Sequence, residues 1–298
     1  MKSLKCRILK DKLARSYMLA ITLLSILLLF FMGGGLFNNS LPLLKLHSLK
    51  DLLGSSNWNP FKNEFGFFPF IYSTLLVTLL SIVLAFPVSL LTALLISEKA
   101  SSHFKKIISP VLDILAGIPS VIYGVWGVLI IVPWISKYLA PKFSISSSGY
   151  SLLASGIVLA VMIIPILISL LTQIFTNVPE DLKEASTSLG ATQWQTIKNV
   201  VIKKSLSGII ASVVLGISKS FGETIAVVMV CGNSIQIPHS IFESGYPLPA
   251  LIANNYGEMM SIPNYESALM FAAFLLFFMI LFFNLISRII LHRLQTKF

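Results

Sequence analysis

The chain has 298 residues, of which 55% are hydrophobic and only 11% are charged, and its mean hydropathy is +0.86. A soluble domain normally carries about 25% charged residues, so this composition excludes an ordinary soluble fold. The formal net charge is +10, but the basic residues are scattered over several loops, which excludes a concentrated surface for nucleic acid.

Runs of twenty or more apolar residues recur six times along the chain. A membrane span needs roughly 20 such residues, and a helix satisfies its own backbone hydrogen bonds inside the bilayer. We therefore predict an all-α membrane protein with a transmembrane domain over residues 17–291 and tails at 1–16 and 292–298. The six predicted transmembrane helices lie near Tyr17–Phe37, Phe70–Ile96, Ile107–Ile135, Leu152–Phe175, Gly208–Cys231 and Ala268–Leu291.

The orientation follows from the Lys and Arg residues of the loops, which concentrate on the cytoplasmic side of a membrane. Sixteen lie in the two tails, in the loops after the second and fourth spans and, for Arg288, at the end of the sixth span beside the tail; five lie in the other loops. We predict that both termini and residues 178–205 are cytoplasmic. The chain is then expected to be a multi-pass membrane protein, and the family resemblance given below implies the bacterial inner membrane as its localisation.

The loop before the fifth span has the signals of two short helices. Pro179 followed by Glu180 and Asp181 predicts a helix start, and Gly190 predicts its end. A second helix is expected after Thr192, with Trp194, Ile197 and Val201 on one face. The pattern is typical of a docking element for a partner protein.

The fifth span contains two charges, Lys219 and Glu223. Small residues recur at every fourth position, and helical geometry predicts that both charges share their face, directed away from lipid. These small residues are Gly208, Ser212, Gly216 and Ser220.

The spacing of four also predicts that Lys219 and Glu223 can pair. One interpretation is an ion pair that only holds the bundle together. The other is an anion path, in which Lys219 supplies positive potential, Glu223 orients it, and Ser220 and Thr224 add hydroxyl donors.

The loop also resembles a motif of ABC importer permeases. Glu184-Ala185-Ser186, Gly190 and Val200-x-Ile202 are similar to its Glu-Ala-Ala (EAA) pattern, with Ser186 in place of the second Ala and Lys203 in place of the usual Pro. The resemblance implies the type I importer architecture, in which this loop is the coupling helix in a groove of the ATPase. Glu184, Ala185 and Gly190 are then the expected coupling residues.

Three stretches narrow the resemblance to the PstC-type permeases of bacterial phosphate importers: 117–133, 190–194 and 219–233. The resemblance implies inorganic phosphate as substrate and a homologous PstA-like permease as partner. It also implies two PstB-like ATP-binding subunits and an extracytoplasmic PstS-like phosphate-binding protein. The usual residue at position 219 in these permeases is Arg, in an Arg-x-x-x-Glu pattern.

The chain has no Gly-x-x-x-x-Gly-Lys-Ser/Thr sequence, which predicts that ATP is bound and hydrolysed by a partner and that this subunit is not an enzyme. No cofactor and no metal site are expected. The alternatives are a PstA-type sister subunit or a permease for another oxyanion, such as molybdate or sulfate. An ion-coupled secondary carrier with Lys219 and Glu223 as a proton relay is a further alternative.

Overall fold

The structure, a computed structural model, describes the backbone of residues 2–257 and 262–295 and the side chains of 12–257 and 262–290. Almost every element is helical. The helices are α1 (Lys2–Leu46), α2 (Leu49–Gly54), α3 (Phe68–Glu98), α4 (Ser102–Ala116), α5 (Ser120–Trp126), α6 (Val132–Trp134), α7 (Ala140–Lys142), α8 (Leu152–Thr176), α9 (Glu180–Ser188), α10 (Gln193–Thr196), α11 (Ile202–Lys204), α12 (Leu206–Gly222), α13 (Ile225–Val230), α14 (Leu248–Asn255) and α15 (Tyr265–Gln295).

Short irregular elements complete the described chain. Two antiparallel strands, β1 (Trp58–Asn59) and β2 (Glu64–Phe65), flank a 3-10 turn at Pro60–Lys62. Turns of π-helix join α5 to α6, α6 to α7 and α10 to α11; they are Gly127–Ile131, Ile135–Leu139 and Ile197–Val201.

The predicted all-α membrane fold is confirmed. Four predicted spans are continuous helices, namely α1, α3, α8 and α15. Five helices of the described chain are long and apolar enough to cross a membrane, and a sixth span is formed if a bent helix pair counts as one.

The third span differs from its predicted bounds, Ile107–Ile135. The first part of the predicted range belongs to a separate helix, α4, which ends before an interruption at residues 117–119; the segment long and apolar enough to cross a membrane runs from Ser120 to Lys142. Pro119 explains the interruption, because proline has no amide hydrogen and disfavours a helical residue before it. Across the break, the Tyr123 hydroxyl donates to the Leu115 carbonyl at 2.8 Å and so satisfies a group at the end of α4.

The fifth span, predicted as one helix over Gly208–Cys231, is also broken. Helix α12 ends at Gly222, Glu223 has an extended backbone, and α13 starts at Ile225. Gly222 and Thr224 favour helix poorly, which makes this a weak point. At its other end, α12 is bent by 67° from the segment Gln193–Lys204.

Helices α3 and α8 form the centre of the bundle. Every fourth residue of α3 is small or β-branched and buried, so the two backbones can approach closely. These residues are Ser73, Val77, Ser81, Ala85, Ser89, Ala93 and Ser97. From α8, Gly156 lies against Leu80 of α3. This stripe was not predicted, although its spacing of four is visible in the sequence.

Helix α1 runs antiparallel to α15, and the buried residues of its described part, Ser40 and Leu43, lie near its end. Phe37 packs on Phe274, and Gly33 lies against Phe277 one turn along. The remaining apolar side chains of α1 are largely exposed over its described part, which fits a helix surrounded by lipid.

The connecting segments collect at two opposite ends of the bundle. At one end, backbone amides of Tyr246 and Leu248 donate to Ser73 and Thr74 at the start of α3. At the other end, the loop 178–205 lies beside Glu98, where α3 finishes. This grouping of segments agrees with the predicted topology. Which end faces the cytoplasm stays a prediction.

Candidate translocation and coupling sites

The loop 178–205 has the two helices that its sequence predicts. Pro179 precedes α9, and Glu180 and Asp181 occupy its first turn. Gly190 follows with φ +82°, a left-handed conformation that glycine adopts without steric cost. Thr192 then starts α10 with a reciprocal capping box to Gln195.

One side of this loop is anchored in the bundle. Ile197 and Val201 are buried in a cluster with Phe175 and Ala93, from α8 and α3. The Ser186 and Thr196 hydroxyls lie 2.9 Å apart and join α9 to α10. The second helical segment is therefore fixed to the membrane helices, and α9 is fixed to it.

The other side of the loop is exposed and partly apolar. Leu189 is 89% exposed and Trp194 is 61% exposed, beside the exposed Glu184, Ala185 and Gly190. Trp194 is exposed whereas Ile197 and Val201 are buried, so the prediction that these three residues lie on one face is wrong. These groups form the side of the loop that faces away from the bundle.

The small-residue face of α12 points into the bundle, as predicted. Gly208 lies against Ile174 of α8, and Gly216 lies against Ile82 of α3. Ser212 and Ser220 are both buried, and the Ser220 hydroxyl is 2.7 Å from that of Ser81 in α3.

Lys219 and Glu223 do not share that face, and this expectation is corrected. Lys219 is exposed and Glu223 is half-buried. No ion pair joins them in the described part of the chain. The helix ends at Gly222, so the i,i+4 geometry that would bring them together is lost.

The break places Glu223 and Thr224 in other contacts. The Glu223 Oε1 accepts from the Ala226 amide at 3.4 Å, where a carboxylate stabilises the start of α13. The Thr224 hydroxyl donates to the Gly222 carbonyl at 3.4 Å. Both side chains are half-buried.

The depth of Lys219 follows from its neighbour Ser220. Ser220 bonds Ser81, which lies near the middle of α3 (Phe68–Glu98), roughly 20–25 Å from either end at 1.5 Å per residue. Lys219 is therefore exposed close to the mid-height of the bundle. A cation at that depth costs about 2.5–3.5 kcal/mol or more against lipid, so its surface belongs to a polar cavity or a partner subunit.

The breaks of spans three and five lie on helices that pack together. A Cβ at Gly124 in α5 would stand 2.6 Å from the Met229 sulfur and 3.2 Å from the Ala226 Cα of α13. Gly124 thus permits the close contact of two segments that each follow a break. The motif around Gly124 is part of the family resemblance, but this packing was not predicted. In the described residues, no three His, Cys, Asp or Glu side chains are grouped so as to hold a metal ion.

Comparison with known proteins gives the family. Residues 85–298 match the model of the binding-protein-dependent transport system inner membrane component. The chain is 36% identical, over 82% of its length and 79% of the relative's, to the phosphate transport system permease protein PstC of Xylella fastidiosa strain Temecula1. It is 31% identical, over 92% of its length and 88% of the relative's, to the protein of the same name from Mesorhizobium japonicum.

A solved structure with the same fold is that of the inward-facing MetNI methionine ABC transporter. The TM-score is 0.58 at 19% identity, and the match covers 76% of this chain and 94% of that one. At this identity the likeness establishes the ABC importer permease fold.

Proposed function

The chain belongs to the family of inner membrane components of binding-protein-dependent transport systems, and we propose that it is a transmembrane permease subunit of an ATP-driven phosphate importer. The assignment of phosphate as the substrate rests on the similarity to phosphate permeases along most of the chain, at 36% and 31% identity. The relatives bear the PstC name, which favours this subunit type over the sister type.

The surface around Lys219 is our proposed half of the anion path. Lys219 is exposed at mid-height, where an uncompensated cation requires an anion or a partner subunit. Glu223 and Thr224 lie at the adjacent helix break. A homologous permease facing this surface would supply the other half. Ser220 stays a candidate hydroxyl donor, and it must exchange its bond with Ser81 to reach an anion.

Glu223 has a different role in this arrangement from that of a fixed ion-pair partner. Its carboxylate holds the start of α13 and leaves the Lys219 ammonium available. A cation without a fixed counter-charge attracts phosphate strongly, and the nearby carboxylate limits how tightly the anion is held. This balance suits a site that must release its substrate.

The loop 178–205 is our proposed docking element for the ATPase. Its exposed side carries Leu189 and Trp194 next to Glu184, Ala185 and Gly190, and its buried side is continuous with α8 and α12. Two ATP-binding subunits would dock at the permease pair from the cytoplasm and hydrolyse the ATP. A phosphate-binding protein would deliver its anion at the opposite end, with both chain termini inside.

Reconstituted uptake tests this proposal. The complete complex in proteoliposomes, with the binding protein outside and ATP inside, should accumulate labelled phosphate. Omitting ATP or the binding protein should abolish uptake, whereas a secondary carrier would respond to a proton gradient instead. Excess unlabelled phosphate should compete, and sulfate or molybdate should not. Competition by sulfate or molybdate alone would contradict the phosphate assignment.

A further inference from the structure

The loop 178–205 is joined to α3 by an ion pair between Lys183 and Glu98. The Lys183 Nζ lies 3.0 Å from the Glu98 Oε1, and the two side chains are only 14% and 11% exposed. Glu180 lies 3.4 Å from the same ammonium, but its side chain is 71% exposed. The contact between Lys183 and Glu98 is therefore sheltered, and the contact with Glu180 is open to solvent.

Neither charge is favoured by the dipole of its own helix. Glu98 is the last residue of α3, where the helix dipole disfavours a carboxylate. Lys183 is the fourth residue of α9, where the dipole disfavours a cation. The helix dipole thus explains neither residue, and the contact of Lys183 with Glu180 inside α9 is open to solvent. The mutual attraction of Lys183 and Glu98 across 85 positions of sequence does explain them.

The pair adds a third attachment to the loop. The chain itself connects α9 to α8 through residues 177–179 and to α12 through α10 and α11. Helix α3 has no covalent connection to the loop, and it carries the buried stripe that packs on α8. Without the ion pair between Lys183 and Glu98, α9 is held mainly by the short segment that follows it. The contact between the Ser186 and Thr196 hydroxyls joins α9 to that segment.

We infer that Lys183 is a positioning residue, whose ion pair with Glu98 transmits displacement of α9 to α3. This inference rests on the proposed docking of an ATPase at the loop. When the ATPase moves α9, the sheltered pair moves the end of α3 with it. Because Ser81 of α3 bonds Ser220 beside Lys219, the displacement reaches the proposed path.

The test compares three variants in the reconstituted complex. Lys183→Met with Glu98→Gln removes both charges and leaves neither alone. Glu180→Gln is the matched control, because it removes only the exposed neighbour of Lys183. Lys183→Glu with Glu98→Lys, in the Glu180→Gln background, exchanges the charges. For each we measure co-purification of the ATPase, ATP hydrolysis stimulated by the binding protein, and phosphate uptake per ATP hydrolysed.

The variant with Lys183→Met and Glu98→Gln, which is neutral at both positions, should assemble and hydrolyse ATP. Its phosphate uptake per ATP hydrolysed should fall about tenfold, a typical magnitude for coupling between sites. The Glu180→Gln control should behave as wild type. The variant with exchanged charges should recover most of the wild-type phosphate uptake per ATP hydrolysed. A neutral variant with a wild-type ratio would overturn the inference. If the neutral variant does not assemble, the variant with exchanged charges decides. The inference is overturned if that variant assembles and hydrolyses ATP but does not import phosphate. Wild-type protein that fails to couple contradicts the proposed function, which is a separate outcome.

Discussion

The hydroxyl of Ser220 lies 2.7 Å from the hydroxyl of Ser81, on the side of α12 that faces the bundle. Ser81 also donates to the Thr78 carbonyl at 2.8 Å, so Ser220 is the donor between the two serines. Lys219 precedes Ser220 and is turned by about 100° around the helix. It therefore lies exposed beside a residue that is anchored.

Replacing Ser220 by Ala should lower stability slightly and leave the fold intact. Hydrogen bonds between membrane helices contribute about 0.6 kcal/mol on average, so a small fall in the thermal unfolding temperature is expected. Ser25→Ala is the control, because the Ser25 hydroxyl bonds only within its own exposed helix. Equal unfolding temperatures for the two variants would show that the bond between Ser81 and Ser220 does not stabilise the bundle.

Local signals were sufficient for most of the fold. The apolar runs predicted α1, α3, α8 and α15, since a span is long and its composition is uniform. The helix pair of the loop was also predicted, because Pro179, Gly190 and Thr192 act through their own backbone conformations. Neither result depends on distant parts of the chain.

Two interruptions were not predicted, and they affect the site. Hydropathy averaged over twenty residues does not detect a break of two or three, such as 117–119 or 223–224. The expected pairing of Lys219 with Glu223 assumed one continuous helix and was therefore wrong. The Lys183–Glu98 pair was not identified either, because its partners are distant in sequence and only the fold brings them together.

Replacing Gly190 by Ala should weaken coupling without a steric clash. A Cβ at Gly190 would meet no atom within 4 Å, so the cost is that of the left-handed backbone, roughly 1–2 kcal/mol. We expect less ATPase to co-purify with the permease and less uptake. Gly190→Asn is the control, since Asn tolerates this conformation better. Wild-type behaviour of the Ala variant would contradict a role for the break in docking.

Replacing Gly124 by Val should separate α5 from α13. The new side chain would meet the Ala226 backbone as well as the flexible Met229, and overpacking typically costs about 1–3 kcal/mol. The thermal stability of the purified chain should fall accordingly. Gly35→Val on α1 is the control, because a Cβ there meets nothing within 4 Å. Equal stability of both variants would refute the tight contact.

Labelling of single cysteines should establish the orientation. In a Cys6→Ser background, Glu243→Cys should react with an impermeant reagent added to intact cells, because the exposed Glu243 lies in the predicted outer loop. Ser188→Cys, exposed in the loop 178–205, should react only after the cells are opened. Native Cys231 is buried and should stay unreactive. Labelling of position 188 in sealed cells would reverse the orientation and remove the docking proposal.

The most direct test of the phosphate path is uptake by complexes altered at Lys219. Because Lys219 has no ion pair with Glu223, Lys219→Gln does not leave a buried carboxylate without its counter-charge, and the complex should assemble normally. Loss of a charged hydrogen bond to the anion, about 1.5–3 kcal/mol, should slow ATP-driven phosphate uptake roughly ten- to 150-fold. Lys219→Arg should retain transport. A Lys219→Gln complex that assembles and imports phosphate at the wild-type rate would contradict the account.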